Sequence, residues 1–262
     1  MSSNQEQIIA QYSAGKEDER ATQSRSSSLE FYYTKKHLEG LIQKTDRVLE
    51  VGCATGYYGL HYAAQCREYV GVDIVPAHIA QFEQKIKERN LQNVSCAVGD
   101  ATELSGIADD RFDVVLCLGP MYHLTPEERE KCFAECRRVC KPGGVLAFAY
   151  INRIGVYAGA CLLFGEVYPN AQANRFVLEQ GRDDVRPDMF FYTTPEEMNA
   201  RAGAHGLKKI KNLATDFFVT TDIVNAMSDE RFELMRPLYD QMTACESCTG
   251  MGNHALLICA KE

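Results

Sequence analysis

The sequence predicts an α/β fold, a doubly wound and largely parallel sheet, on three observations. An apolar run, Arg47 to Val51, breaks into the small-residue turn Gly52-Cys53-Ala54-Thr55-Gly56 and opens a helix-like stretch, Tyr57 to Gln65. Further short apolar runs alternate with amphipathic segments as far as Tyr150, the pattern of strands joined by crossover helices. Acids stand at or just beyond the ends of the first three runs, Glu50, Asp73 and Asp100, on the carboxyl edge where open α/β sheets bind ligands.

With 262 residues, 45% of them hydrophobic, the chain is long enough for one large α/β domain with insertions or a domain plus a small lobe. The formal charge of −8 and the lack of a Lys/Arg tract argue against a nucleic-acid partner. Lys208, Lys209 and Lys211 make one small basic cluster on an apparent strand, read as a solvated edge. No run of about 18 apolar residues occurs and Met1 to Asp18 is too polar for a signal peptide, so a cytoplasmic protein without a membrane partner is expected. Eleven scattered cysteines read as reduced thiols packed as small hydrophobes.

Met1 to Ser28 is polar and Ser-rich, either a disordered tail or, given Tyr12 and the aromatic block after Leu29, a cover over a site. Leu29 to Ile42 reads as a helix. Tyr69 to Ile74 is a second strand, and Asp73 follows Glu50 at roughly the ~20-residue interval at which such folds place an acid over a ribose. A helix-capping role is the alternative for Asp73, since Pro76 begins a helix-like stretch, Ala77 to Arg89. Val94 to Val98 is a third strand, followed by Gly99-Asp100-Ala101, and Arg111 to Leu118 is a fourth, apolar enough to be buried on both faces. It runs into the loop Gly119 to Leu124, after which Thr125-Pro126-Glu127-Glu128 predicts a capped helix start. On that helix Cys132, Cys136 and Cys140 are expected to share one face, where packing is favoured over metal. Lys141-Pro142-Gly143-Gly144 reads as a hairpin-like stop before a fifth strand, Val145 to Tyr150. An aromatic insertion, Ile151 to Thr193, carries Tyr157, Phe164, Tyr168, Phe176, Phe190, Phe191 and Tyr192. A second capping box at Thr194 starts a helix that ends near Gly206, Leu207 to Thr215 is a sixth strand, Phe217 to Gly252 is helical, and His254 to Ala260 is a seventh strand. Cys245-x-x-Cys248 reads as a loop or helix end.

The chemistry of the first turn narrows the ligand. The dinucleotide fingerprint G-x-G-x-x-G fails in every register, with Ala54 at the second glycine and Tyr57 at the third. Glu50 repels pyrophosphate and suits a cation. S-adenosylmethionine carries an ammonium, a sulfonium and a carboxylate but no phosphate, so its carboxylate can sit on the turn amides while Glu50 favours its positive end.

E-x-G-x-A-x-G at 50–56 resembles motif I of the class I S-adenosylmethionine-dependent methyltransferases. F-D-x-V at 112–115 with G-P-x-Y-H-L at 119–124 is similar to motif IV of their small-molecule branch, and K-P-G-G-x-L-x-F at 141–148 to a further landmark. The resemblance implies a Rossmann-like seven-stranded sheet of order 3-2-1-4-5-7-6, strand 7 antiparallel. It implies an N-terminal lid at 1–44 and a methyltransferase domain at 45–262, with cap insertions about 151–193 and 217–252. The cofactor would be S-adenosylmethionine, leaving S-adenosylhomocysteine, with a small-molecule acceptor, no metal and a monomeric or homodimeric chain. Cofactor contacts are expected from Tyr12, Glu50, Gly52, Cys53, Ala54, Gly56, Asp73 at the ribose, Ile74, Asp100 and Ala101 at the adenine, Leu118 and Gly119. His123 is the candidate general base, with a structural histidine bonded to backbone as the alternative reading, and Tyr122, Tyr12 and Tyr33 are wall or hydroxyl contacts. The rival readings are an NAD-dependent oxidoreductase, a non-catalytic S-adenosylmethionine-binding sensor or assembly partner, and a methyltransferase with a macromolecular acceptor.

Overall fold

A computed structural model describes residues 3–13, 17–163, 171–182, 189–217 and 220–262. In chain order the elements are α1 (Ser3–Ser13), α2 (Glu17–Arg20), α3 (Arg25–Leu38), β1 (Arg47–Val51), α4 (Tyr57–Tyr62), β2 (Glu68–Asp73), α5 (Pro76–Glu88), β3 (Val94–Val98), β4 (Phe112–Cys117) and α6 (Pro126–Val139). There follow β5 (Cys140–Ile151), α7 (Arg153–Leu163), α8 (Ala171–Gln180), α9 (Pro195–Ala204), β6 (Leu207–Ala214), α10 (Thr221–Ala226), α11 (Asp229–Ala244) and β7 (His254–Lys261). The strands form one sheet, β3-β2-β1-β4-β5-β7-β6, in which β7 runs antiparallel to both neighbours. The other pairings are parallel, so β1 to β5 end on one edge.

Alternation along the central strands feeds two apolar layers, because successive side chains point to opposite faces. Val48, Val114, Leu116, Leu256 and Ile258 pack with Phe31, Tyr58 and Phe82 from α3, α4 and α5. Leu49, Val51, Val115, Leu257 and Cys259 pack with Phe133, Met198 and Ala202 from α6 and α9. Glu50 takes the position between Leu49 and Val51 and is the one buried carboxylate in β1. A third cluster joins Leu29 and Tyr33 of α3 to Phe217, Phe232 and Tyr239, seating α10 and α11 beside β6.

Several expected boundaries move. The first 20 residues are helical where described and packed over the carboxyl edge, rather than a tail. The helix expected over 29–42 starts earlier because the Ser24 hydroxyl caps it, accepting from the Ser27 N–H at 3.1 Å, and it ends at Leu38 before Gly40 turns with φ +77°. Lys141 to Gly144 does not stop the chain: β5 already begins at Cys140 and passes through the glycines with a register shift against β4. The capping box at Thr125 forms in both directions. At Thr194 only half of it forms, because the Glu197 carboxylate turns instead to the Thr193 hydroxyl and Arg153. The helical stretch 217–252 divides into α10, α11 and a 3₁₀ turn, Glu246–Met251. Phe164 and Tyr168 lie outside the described residues. Among those residues no helix is long and apolar enough to cross a membrane.

Candidate functional site

The turn after β1 is shaped by close approach. Gly52 has φ +75°, and a Cβ there would come within 2.5 Å of the Pro120 ring; Gly56 has φ +89°, and its Cβ would meet the Phe82 ring at 2.1 Å. The amides of this turn are spent inside the fold. Gly52 and Cys53 donate to the Val72 carbonyl at 2.7 and 3.0 Å, Gly56 donates to the Cys53 carbonyl at 3.0 Å, and Ala54 donates to Asp73 Oδ2 at 2.8 Å. The expectation that these amides receive a ligand carboxylate is therefore corrected: their hydrogens close the turn onto β2. Gly56, expected at the ligand, does not line the cavity; its Cα is what lets Phe82 pack under α4.

A cavity of about 840 Å³ opens at the carboxyl ends of β1 to β4 and is covered by α1 and α2. Glu50, Asp73 and Asp100 all line it, as do Gly52, Cys53, Ala54, Ile74, Ala101, Leu118 and Gly119. Glu50 is buried and accepts the Tyr69 hydroxyl at 2.7 Å; burial, with Asp73 nearby, pushes its carboxyl up to about 8 against that hydrogen bond. Asp73 accepts Ala54 N–H through Oδ2 and Val75 N–H at 2.9 Å through Oδ1, so it fastens both the turn and the start of α5. Beside it His78 is buried, lines the cavity, and has no hydrogen-bond partner on either ring nitrogen, Asp73 Oδ1 standing 3.5 Å from Nδ1. Asp100 accepts the Thr102 N–H and hydroxyl at 2.8 Å each, while its second oxygen takes the Gln5 amide at 2.5 Å.

The helical cover meets the sheet edge through polar contacts. Asn4 donates to the His123 carbonyl at 2.8 Å, Asp18 accepts Lys85 at 2.5 Å and also the Thr55 hydroxyl, and Ile8 and Ala21 are buried beneath. Arg20 donates to both Glu30 oxygens at 2.6 and 2.7 Å and to Glu17 at 3.1 Å; burial opposes its charge, and Glu30 more than restores it.

His123 is placed by the 3₁₀ turn Pro120–Tyr122 at the end of β4. Its Nδ1 faces the Met189 carbonyl at 3.4 Å, which assigns the proton to that nitrogen, and its Nε2 accepts the Tyr12 hydroxyl at 2.9 Å. Burial lowers the imidazole to about 4, so it is neutral near pH 7. The Tyr122 hydroxyl donates to the Leu118 carbonyl at 3.4 Å, and burial pushes it up to about 12. Both residues, and Tyr12, line the cavity. Tyr33 does not: its hydroxyl donates to Asp240 and its ring stacks on Tyr239, because α3 turns that face toward α11. The residues that sequence reading missed are Gln5, Asp18, Arg20, Glu30 and His78. No local pattern marks them, since most of their partners lie far along the chain.

The cysteine face is also corrected. Cys140 belongs to β5, and the third sulfur beside Cys132 and Cys136 is Cys117 of β4: Cys132 Sγ lies 3.7 Å from Cys117 Sγ and 3.9 Å from Cys136 Sγ. All three are buried within the apolar layer, and burial and their mutual hydrogen bonds hold each thiol well above the ordinary value.

This fold, with its carboxyl-edge cavity, is that of the class I methyltransferases. Residues 48–144 match the family model described as methyltransferase domain. The chain is 33% identical over 115 residues to the probable methyltransferase ltbC of Aspergillus luteorubrus, covering 40% of each protein. It is 29% identical over 107 residues to the ubiquinone biosynthesis O-methyltransferase of Acinetobacter baumannii strain AYE, covering 41% of this chain and 44% of that one. The chain thus spans less than half the length of these two relatives. A SAM-dependent methyltransferase from Methanosarcina mazei superposes with a TM-score of 0.58 at 18% identity, covering 86% of this chain and 96% of that one, a likeness of fold.

Proposed function

We propose that the chain is an S-adenosylmethionine-dependent methyltransferase acting on a small-molecule acceptor. The observation that carries the reading is the convergence of Glu50, Asp73 and Asp100, from the ends of β1 and β2 and just past β3, on one cavity that also holds Tyr12 and His123. The residues present fit the cofactor: the buried Glu50 carboxyl, held by Tyr69 and lining the cavity, suits its cationic end, and Asp73 at the end of β2, also lining it, suits ribose hydroxyls. The volume lies in the range of small-ligand sites. In this arrangement Asp73 accepts the ribose hydroxyls, Asp100 and Ala101 meet the adenine, and Gly52, Cys53, Ala54, Ile74, Leu118 and Gly119 form the wall. Gly56 acts from behind that wall.

Bound there, the cofactor supplies a methyl carbon already activated by its sulfonium. The protein's part is alignment and exclusion of water, which the cover over 3–20 performs. Where the acceptor must lose a proton, it passes to the Tyr12 oxygen while Tyr12 gives its own to His123 Nε2. The two transfers are coupled, because burial holds the Tyr12 phenol far above its ordinary value and disfavours a phenolate. Because burial holds the His123 imidazole at about 4, the relay contributes less than the ~10²–10⁴-fold of a base whose pKa matches the working pH. The acidic balance and the helical cover support a small acceptor over a nucleic acid. We assign 1–44 to the cover and 45–262 to the methyltransferase domain, with 151–193 and 217–252 as cap insertions.

Replacing Asp73 tests the assignment. Asp73→Ala is expected to weaken S-adenosylmethionine binding by about 1–3 kcal/mol, and Asp73→Asn, which keeps an acceptor for the turn, by less. An unchanged Kd in both, read by calorimetry, rejects the ribose role.

A further inference from the structure

The pair Cys245 and Cys248 stands apart from the other thiols. Among the described cysteines seven are buried, and an eighth, Cys96, is half-buried on β3. Burial or a neighbouring thiol raises the thiol in most of them, and none of those eight is shifted toward thiolate. Cys245 and Cys248 flank the start of the 3₁₀ turn after α11 and are both solvent-accessible. The Cys248 N–H donates to the Cys245 carbonyl at 3.0 Å, closing a four-residue turn. Such a turn holds its end Cα atoms less than about 7 Å apart, which overlaps the span a disulfide needs.

The two sulfurs are not equivalent. Cys245 Sγ lies 3.0 Å from the Ser247 hydroxyl, and that hydroxyl, the Ser247 amide and the Cys248 thiol and amide all favour its thiolate, shifting it down. Cys248 is shifted up, by burial and then by Cys245, and its side chain packs against the cluster of Phe217 and Tyr239. The turn itself is fixed: Glu246 accepts Lys209 at 2.8 Å and the Asn212 N–H at 3.2 Å, and Asn152 donates to the carbonyls of Thr249, Gly250 and Gly252.

We propose that Cys245 and Cys248 are a redox-active dithiol that closes to an intramolecular disulfide by exchange with small-molecule disulfides, Cys245 attacking and Cys248 resolving. In the first step the Cys245 thiolate displaces one thiolate from the disulfide and forms a mixed disulfide. In the second, Cys248 gives its proton to solvent, attacks the Cys245 sulfur and expels the remaining thiolate. Two electrons leave the cysteine pair and reduce one disulfide to two thiols. The assignment is independent of the methyl-transfer reading.

The test uses the full chain equilibrated with glutathione at a series of oxidised-to-reduced ratios, then acid-quenched, alkylated and mapped by peptide mass. The 245–248 peptide is expected to pass from two alkyl groups to an internal disulfide as the ratio rises, and to return when reduced glutathione is restored. Cys248→Ser is expected to stall with one glutathione on Cys245, whereas Cys245→Ser leaves Cys248 unmodified. At pH 7 the single thiol in Cys248→Ser should alkylate about tenfold faster than the one in Cys245→Ser. A peptide that stays doubly alkylated at every ratio overturns the proposal, as do equal rates in the two variants. Both positions are at the surface, and circular dichroism of each variant verifies that it is folded.

Discussion

Glu50 holds a carboxyl where a carboxylate is expensive. Burial raises it from 4.5 to about 8, so between those values the folded chain keeps a proton that the unfolded chain has released, and stability falls as pH rises through that window. A cation placed beside it reverses the balance and expels the proton. Affinity for S-adenosylmethionine is therefore expected to rise with pH up to about 8 and then level, while Glu50→Gln binds with a flat profile; calorimetry from pH 6 to 9 checks this, and a flat wild-type profile contradicts it. His123 carries the opposite sign. Its unfolded imidazole takes a proton below 6.5, whereas the buried one refuses until about 4, so stability is lost as pH falls across that interval. His123→Gln is expected to remove that slope in urea unfolding at pH 4.5 and 7. In the relay, Tyr12→Phe keeps the ring and removes the shared hydroxyl, and is expected to lower kcat by about tenfold where the acceptor is protonated, less than a base tuned to the working pH would give, with cofactor Kd little changed; an unchanged kcat removes Tyr12 from the relay. At this scale the sequence showed the carboxylates, because each sits at a strand end that periodicity can place. It did not show that Ala54 N–H is already taken by Asp73, or that the buried ring nitrogens of His78 go without a hydrogen bond beside it, since both depend on how α5 meets the β1 turn.

The elements were most legible where one local signal fixes them. Thr125-Pro126-Glu127-Glu128 is complete as a capping box, and Thr125→Ala is expected to cost about 0.5–2 kcal/mol in denaturant unfolding. The equivalent Thr194 sequence is identical in type, yet its glutamate is drawn away by Arg153 from the preceding insertion, a contact between residues 44 apart. The N-terminal helices were the hardest to read. They hold to the sheet edge by Asn4, Gln5, Tyr12, Asp18 and Arg20, polar residues whose composition also suits a tail, with Ile8 and Ala21 as buried apolar anchors. Removing residues 1–22 is expected to leave the circular dichroism of the sheet intact while weakening cofactor binding about tenfold or more, from loss of enclosure. Unaltered binding in the truncated chain denies α1 and α2 a part in the site.

Across the whole molecule, the sheet order sets where chemistry can occur. Parallel β1 to β5 bring five carboxyl ends to one edge, and antiparallel β7 returns the chain so that α10 and α11 pack with α3 beside β6. The alternation of strands and helices to Tyr150 made this half readable, whereas the cap depends on packing among segments with no period of their own. The central claim is that Glu50, Asp73 and Asp100 together form an adenosyl site. Parallel calorimetric titration of the full chain with S-adenosylmethionine, S-adenosylhomocysteine and NAD tests it most directly: micromolar binding of both adenosyl ligands and none of NAD is the predicted result, and failure of both adenosyl ligands to bind contradicts the account.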